Sequence, residues 1–105
     1  MELRDVDLSH NWLTGNLRIP TSTQLHSIDL STNRLEGPVP KGSLSYASHL
    51  SRVNLSRNRL TGAIDSFVFG ISDPGHLADL NLASNKFSGE IPPQLAIFSL
   101  AKITL

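Results

Sequence analysis

The chain has 105 residues, 39% of them hydrophobic, enough for a single domain with a modest core. Nine lysines and arginines balance nine aspartates and glutamates, and the resulting formal charge of zero speaks against a nucleic-acid partner and against long-range steering. Without cysteine there is no disulfide framework and no cysteine zinc site, and no run approaches the roughly 18 apolar residues of a membrane span.

One pattern recurs along the chain, L-x-x-L-x-L-x-x-N-x-L-x-G. Its first copy is Leu3, Val6, Leu8, Asn11, Leu13 and Gly15; its second is Leu25, Ile28, Leu30, Asn33, Leu35 and Gly37. The third is Leu50, Val53, Leu55, Asn58, Leu60 and Gly62; the fourth is Leu77, Leu80, Leu82, Asn85, Phe87 and Gly89. A fifth opens with Leu100, Ile103 and Leu105. Repeats are therefore expected over 3–24, 25–49, 50–76 and 77–99, with a partial one over 100–105.

Each position has a physical task. The Leu-x-Leu centre alternates apolar and polar, which is strand periodicity, so its apolar residues face a core and the intervening ones face water. The asparagines Asn11, Asn33, Asn58 and Asn85 follow the strand, where an amide can serve the turn's unpaired backbone groups in a stacked ladder. The glycine two places beyond the next apolar residue permits a bend, and Pro38, Pro40 and Pro92 suit irregular backbone rather than helix. One such unit cannot bury its own apolar face, but a stack of at least about three can.

These residues resemble the plant-type leucine-rich repeats. Asp79 to Pro92 follows that subfamily's strand, asparagine turn and G-x-I-P segment without a gap, and Gly37-Pro38-Val39-Pro40 fits it too. Asp65 and Arg18 stand where the last proline of that segment belongs. The resemblance implies an α/β-type repeat solenoid, a right-handed leucine-rich-repeat superhelix. Its parallel β-sheet would line the concave face, a second short strand would lie near each Leu-x-Gly, and 3₁₀ or irregular segments would form the convex face. It further implies a non-catalytic recognition module of a receptor-like ectodomain or a cell-wall enzyme inhibitor, extracellular or at the cell surface.

Met1 to Asp5 carries no signal-peptide pattern, and both end repeats are expected to be uncapped, as in a fragment or an excised module. Stacking end to end through those edges is the competing role, with self-association as its consequence.

Register places Asp7, Asp29, Asn54, Asn81 and Thr104 in the central column of the open face. Asp5, Ser27, Arg52, Asp79 and Lys102 run on one side; Ser9, Ser31, Ser56 and Ala83, then His10, Thr32, Arg57 and Ser84, run on the other. Five strands about 4.8 Å apart span roughly 19 Å, the length of a short extended peptide. Asp7, His10, Asp29, Arg52, Asn54, Arg57 and Asn81 are the candidate contacts for a peptide or protein, and the alternative is that they only keep a sheet face wet. Asn54-Leu55-Ser56 is also a glycosylation sequon.

The basic column Arg34, Arg59 and Lys86 is either an anion contact or a solvated edge partnered by Glu36 and Glu90. Trp12 is expected at the rim. The apolar run Ser66 to Gly75 reads as convex core or as a protruding partner site. His49 and His76 could stack, yet two histidines with no carboxylate or thiolate beside them make a poor metal site. No nucleophile elbow or phosphate loop occurs, so no catalytic residue, metal or cofactor is expected.

Overall fold

The computed structural model describes residues 4–17, 25–39, 49–63 and 78–88, and the backbone of 102–104. Nine strands appear in chain order: β1 (Asp5–Asp7), β2 (Thr14–Asn16), β3 (Ser27–Asp29), β4 (Arg34–Pro38), β5 (Arg52–Asn54), β6 (Arg59–Ala63), β7 (Asp79–Asn81), β8 (Lys86–Ser88) and β9 (Lys102–Thr104). Odd-numbered strands form one five-stranded parallel sheet, β1-β3-β5-β7-β9, and even-numbered strands form a second, β2-β4-β6-β8. This is the leucine-rich-repeat solenoid expected above, including its second sheet. Among the described residues there is no helix. The run Ser66 to Gly75, Pro40, Pro92, His76 and Glu90 lie outside the described residues.

The first sheet is set by the Leu-x-Leu alternation. Val6, Ile28, Val53, Leu80 and Ile103 pair in register at the strand centres, so one apolar column is flanked by two polar ones. Ile28, Val53 and Leu80 are buried, as are Leu30, Leu55 and Leu82 just past each strand. Leu25 and Leu50 from the strand approaches, Leu35 and Leu60 from the second sheet, and Leu17 and Val39 beyond the glycines complete one core cluster, against which Val6 and Phe87 pack.

The glycines set the spacing of the second sheet. Gly37 has φ of +81°, and a Cβ there would stand 2.6 Å from Asn16 Oδ1 of the preceding repeat. A side chain at this position is disfavoured by conformation and would displace the Asn16 side chain.

The first repeat differs from those behind it. Leu8 is 46% exposed, whereas Leu30 and Leu55 at the same pattern position are 6% and 0% exposed. Leu30 and Leu55 have a described repeat on each side, and Leu8 has one on its C-terminal side.

Candidate functional site

The polar columns expected beside the apolar one are brought together by parallel pairing. Asp7, Asp29, Asn54, Asn81 and Thr104 align across the five strands, and so do Asp5, Ser27, Arg52, Asp79 and Lys102. Those on β1, β3, β5 and β7 line a shallow hollow of about 450 Å³. Four carboxylates line it (Asp5, Asp7, Asp29 and Asp79) against one guanidinium, Arg52. Arg52 reaches Asp79 at 3.7 Å, an exposed pair of the kind that contributes little stability. Ser27 Oγ donates to Asp5 Oδ1 at 2.8 Å.

The central column also has a structural duty that its sequence pattern does not announce. Asp7 Oδ1 accepts from the backbone N–H of Ser9 at 3.0 Å and from its hydroxyl at 2.6 Å. Asp29 does the same with Ser31 at 2.9 and 2.6 Å, and Asn54 with Ser56 at 3.1 and 2.7 Å. Asn81 Oδ1 accepts the Ala83 N–H at 3.1 Å. Each is an Asx turn that bends the chain out of the strand. The Ser9 hydroxyl, then its N–H, hold the Asp7 carboxyl below its usual range, with His10 adding a smaller push in the same direction. One oxygen per side chain is thus committed. The second oxygen of Asp7 and Asp29, and Nδ2 of Asn54 and Asn81, make no hydrogen bond among the described residues.

The serines of this turn correct the sequence expectation. Ser31 and Ser56, placed above on the open face, are buried, because their hydroxyls fold back onto the preceding Asp29 and Asn54.

Beyond them sits a residue with left-handed backbone in every described repeat: His10, Thr32, Arg57 and Ser84, with φ of 56–57°. Side chains of this kind pay a steric penalty there, which persists only where the surroundings hold the backbone. Here the holding bonds come from the next repeat: His10 N–H donates to Ser31 O at 3.0 Å, Thr32 to Ser56 O at 2.9 Å and Arg57 to Ala83 O at 3.0 Å. His10 and Arg57 therefore lie apart from the hollow, along a second depression of about 370 Å³ shared with Thr32, Ser56 and Ser84.

The asparagines follow. Asn58 Nδ2 donates to Ser56 O and Leu55 O in its own repeat, both at 3.2 Å, and to Leu30 O of the preceding one at 3.0 Å. Its Oδ1 accepts the Leu35 N–H, also from the preceding repeat, at 3.0 Å. Asn33 and Asn85 repeat all four bonds. Among the described residues Asn11 makes only the two within its own repeat, at 2.9 and 3.1 Å.

One place past each asparagine stand Trp12, Arg34, Arg59 and Lys86, all exposed. The Arg34 guanidinium lies 4.2 Å from the Trp12 ring centroid. Glu36, expected to partner this column, faces Arg59 in the strand register but forms no ion pair among the described residues. The histidine contact in the structure is His26 with His49, ring centroids 5.9 Å apart, on the approaches to β3 and β5. Among the described residues no three acidic or histidine side chains gather as a metal site.

Comparison with known proteins agrees with this geometry. The Leucine Rich Repeat family profile matches residues 76–98. Receptor-like protein 7 of Arabidopsis thaliana is 41% identical over 95 residues, covering 86% of this chain and 9% of the relative. Cuscuta receptor 1 of Solanum lycopersicum is 40% identical over 92 residues, covering 83% of this chain and 8% of that protein. The chain thus spans about a tenth of the length of the curated relatives it matches. Among solved structures, the ectodomain of the receptor kinase SOBIR1 from Arabidopsis thaliana superposes with a TM-score of 0.81 at 33% identity, covering 97% of this chain and 54% of that one. The plant peptide hormone receptor RGFR1 in complex with RGF2 superposes with a TM-score of 0.83 at 29% identity, covering 98% of this chain and 16% of that one. With the asparagine turns and twin parallel sheets in place, the chain belongs to the plant-type leucine-rich-repeat family.

Proposed function

We propose that this chain forms part of an extracellular recognition surface that binds a peptide or protein and performs no chemistry of its own. The observation that carries the reading is the polar hollow over β1, β3, β5 and β7, whose side chains keep a free hydrogen-bonding group after building their turns. Its two halves differ. Asp5, Asp7 and Asp29 offer only acceptors over β1 and β3, whereas over β5 and β7 Asn54 and Asn81 offer donors and Arg52 balances Asp79. A segment lying across the strands would place a basic residue over the first half and carbonyl or carboxylate groups over the second. His10 and Arg57 would touch such a ligand only at its edge. The receptor names of the curated relatives and the peptide complex of RGFR1 support this reading.

Peptides selected from a random library against the chain should be enriched in lysine or arginine. They should lose about tenfold in affinity on Asp7→Asn with Asp29→Asn. Asparagine keeps the turn acceptor, as Asn54 and Asn81 do, and removes only the charge. Selected peptides that ignore both this variant and Arg52→Glu would overturn the hollow as the site.

Asn54 has a second reading as a glycan acceptor, favoured by its Nδ2, which is free while Oδ1 holds Ser56. A glycan there would fill the centre of the hollow and displace binding to the flank. The intact mass of the chain secreted from plant cells decides between the two. End-to-end stacking is favoured by the exposed Leu8 and Leu13 and by Asn11 Oδ1, which accepts no hydrogen bond among the described residues. A sedimentation coefficient independent of concentration would remove it.

A further inference from the structure

The flank beside the asparagine ladder has the opposite polarity to the hollow. Among the described residues it carries four cations, Arg34, Arg57, Arg59 and Lys86, against one carboxylate, Glu36, and none of the four cations is ion-paired. The zero net charge therefore hides two segregated faces. Trp12, Arg34, Arg59 and Lys86 share one offset from their asparagines, so the stacking of repeats alone aligns an aromatic ring with three cations.

Trp12 is 73% exposed. Arg34 covers one face of its indole and leaves the other to solvent, beside a dent of about 300 Å³ lined by His10, Asn11, Thr32 and Asn33. Stacking fixes both side chains before anything binds, which lowers the ordering cost of association. Tryptophan and arginine are also the residue types that dominate interface energetics. At 73% exposure the indole still offers apolar ring surface that an amino-acid side chain can cover.

We propose that the column Trp12–Arg34–Arg59–Lys86, with Arg57 beside it, docks an acidic segment of a partner protein. An apolar side chain of that segment covers the open face of Trp12. Its carboxylates run along Arg34 and Arg59, whose planar forks receive them in pairs, and end on Lys86. This surface is separate from the hollow and does not depend on a ligand binding there.

Trp12 is the only tryptophan, so its emission reports contact directly. The probe is a short synthetic peptide with one leucine ahead of a run of aspartate and glutamate. Its control carries asparagine and glutamine instead. The acidic peptide should shift Trp12 emission saturably, and Arg34→Glu with Arg59→Glu should weaken it about tenfold or more, as should high salt. Arg34→Ser with Arg59→Ser provides a neutral version should charge reversal disturb folding. With Trp12→Ala, anisotropy of labelled peptide should show weaker binding of the leucine-bearing probe and unchanged binding of a leucine-free one. Asp7→Asn with Asp29→Asn should leave all of this intact, so failure of the hollow and failure of the flank are distinguishable. Absence of saturable binding, indifference to the arginine changes, or preferential binding of an oligogalacturonide would each overturn the proposal.

Discussion

Asn58 and Asn11 hold the same pattern position two repeats apart, yet their circumstances differ. Asn58 is buried and makes four hydrogen bonds, two of them to the preceding repeat. Asn11 is exposed and makes two, both local. The leucines diverge in the same way. A residue of this motif draws much of its stabilising role from the repeat on its N-terminal side, so the stability of the stack resides in its interfaces.

The largest expected effect tests that lesson on the core. Leu55→Ala should cost about 2–5 kcal/mol, because Leu55 is fully enclosed and its removal leaves a cavity. Leu8→Ala should cost less than about 1 kcal/mol, since that side chain already meets water. Urea unfolding of the two variants measures both. Equal losses would break the comparison.

Next comes the ladder. Asn58→Ala strands the Leu35 N–H and withdraws a donor from three carbonyls, at about 2–4 kcal/mol in total. Asn11→Ala should stay near 0.5 kcal/mol, in line with an exposed local bond. The urea midpoint should separate them clearly, with the slope unchanged.

Much of this was legible beforehand. Alternation at Leu-x-Leu is enough to say which residues share the open face, because one polar residue between two buried ones can point only outward. The leucines and asparagines of the pattern likewise carry their burial in their spacing. The left-handed residue before each asparagine was not legible. His10, Thr32, Arg57 and Ser84 share no propensity for that backbone; in His10, Thr32 and Arg57 it is held by N–H bonds into the next repeat, a contact outside the local sequence. The burial of Ser31 and Ser56 was missed for a related reason, since the hydroxyl is satisfied two residues back along its own chain. The Trp12–Arg34 stack did leave a signal, the shared offset from Asn11 and Asn33, visible once the repeats are superimposed.

A smaller contrast lies in the glycines. Both Gly15 and Gly37 have positive φ, but a Cβ at Gly15 meets nothing within 4 Å while one at Gly37 meets Asn16. Gly15→Ala should cost about 1 kcal/mol from conformation alone. Gly37→Ala should cost somewhat more, and Asn16→Gly in the same chain should recover the excess. Thermal melts of the three variants resolve this, and identical losses at both glycines would show that the repeat contact adds nothing.

The smallest effect belongs to Asp7, and it isolates the Asx turn from the repeat contacts. The Ser9 hydroxyl and N–H favour the charged carboxylate, so its folded pKa lies below the unfolded value near 3.9. A depressed pKa contributes stability that is fully present above the unfolded value and is lost as pH falls through the folded one. No change is therefore expected between pH 7 and 5, and the loss is confined to the acid limb below about pH 4. The direct measurement is an NMR titration of the Asp7 side-chain carboxyl carbon. Its midpoint should fall below about 3.9 and rise towards that value in Ser9→Ala, where the hydroxyl bond is gone but the N–H bond remains. Asp7→Asn should flatten the acid limb while keeping the turn, as Asn54 keeps it two strands away. A midpoint unmoved by Ser9→Ala would mean that the turn in the first repeat is held by its backbone alone, and the contrast between edge and interior would then extend to the polar face of the sheet.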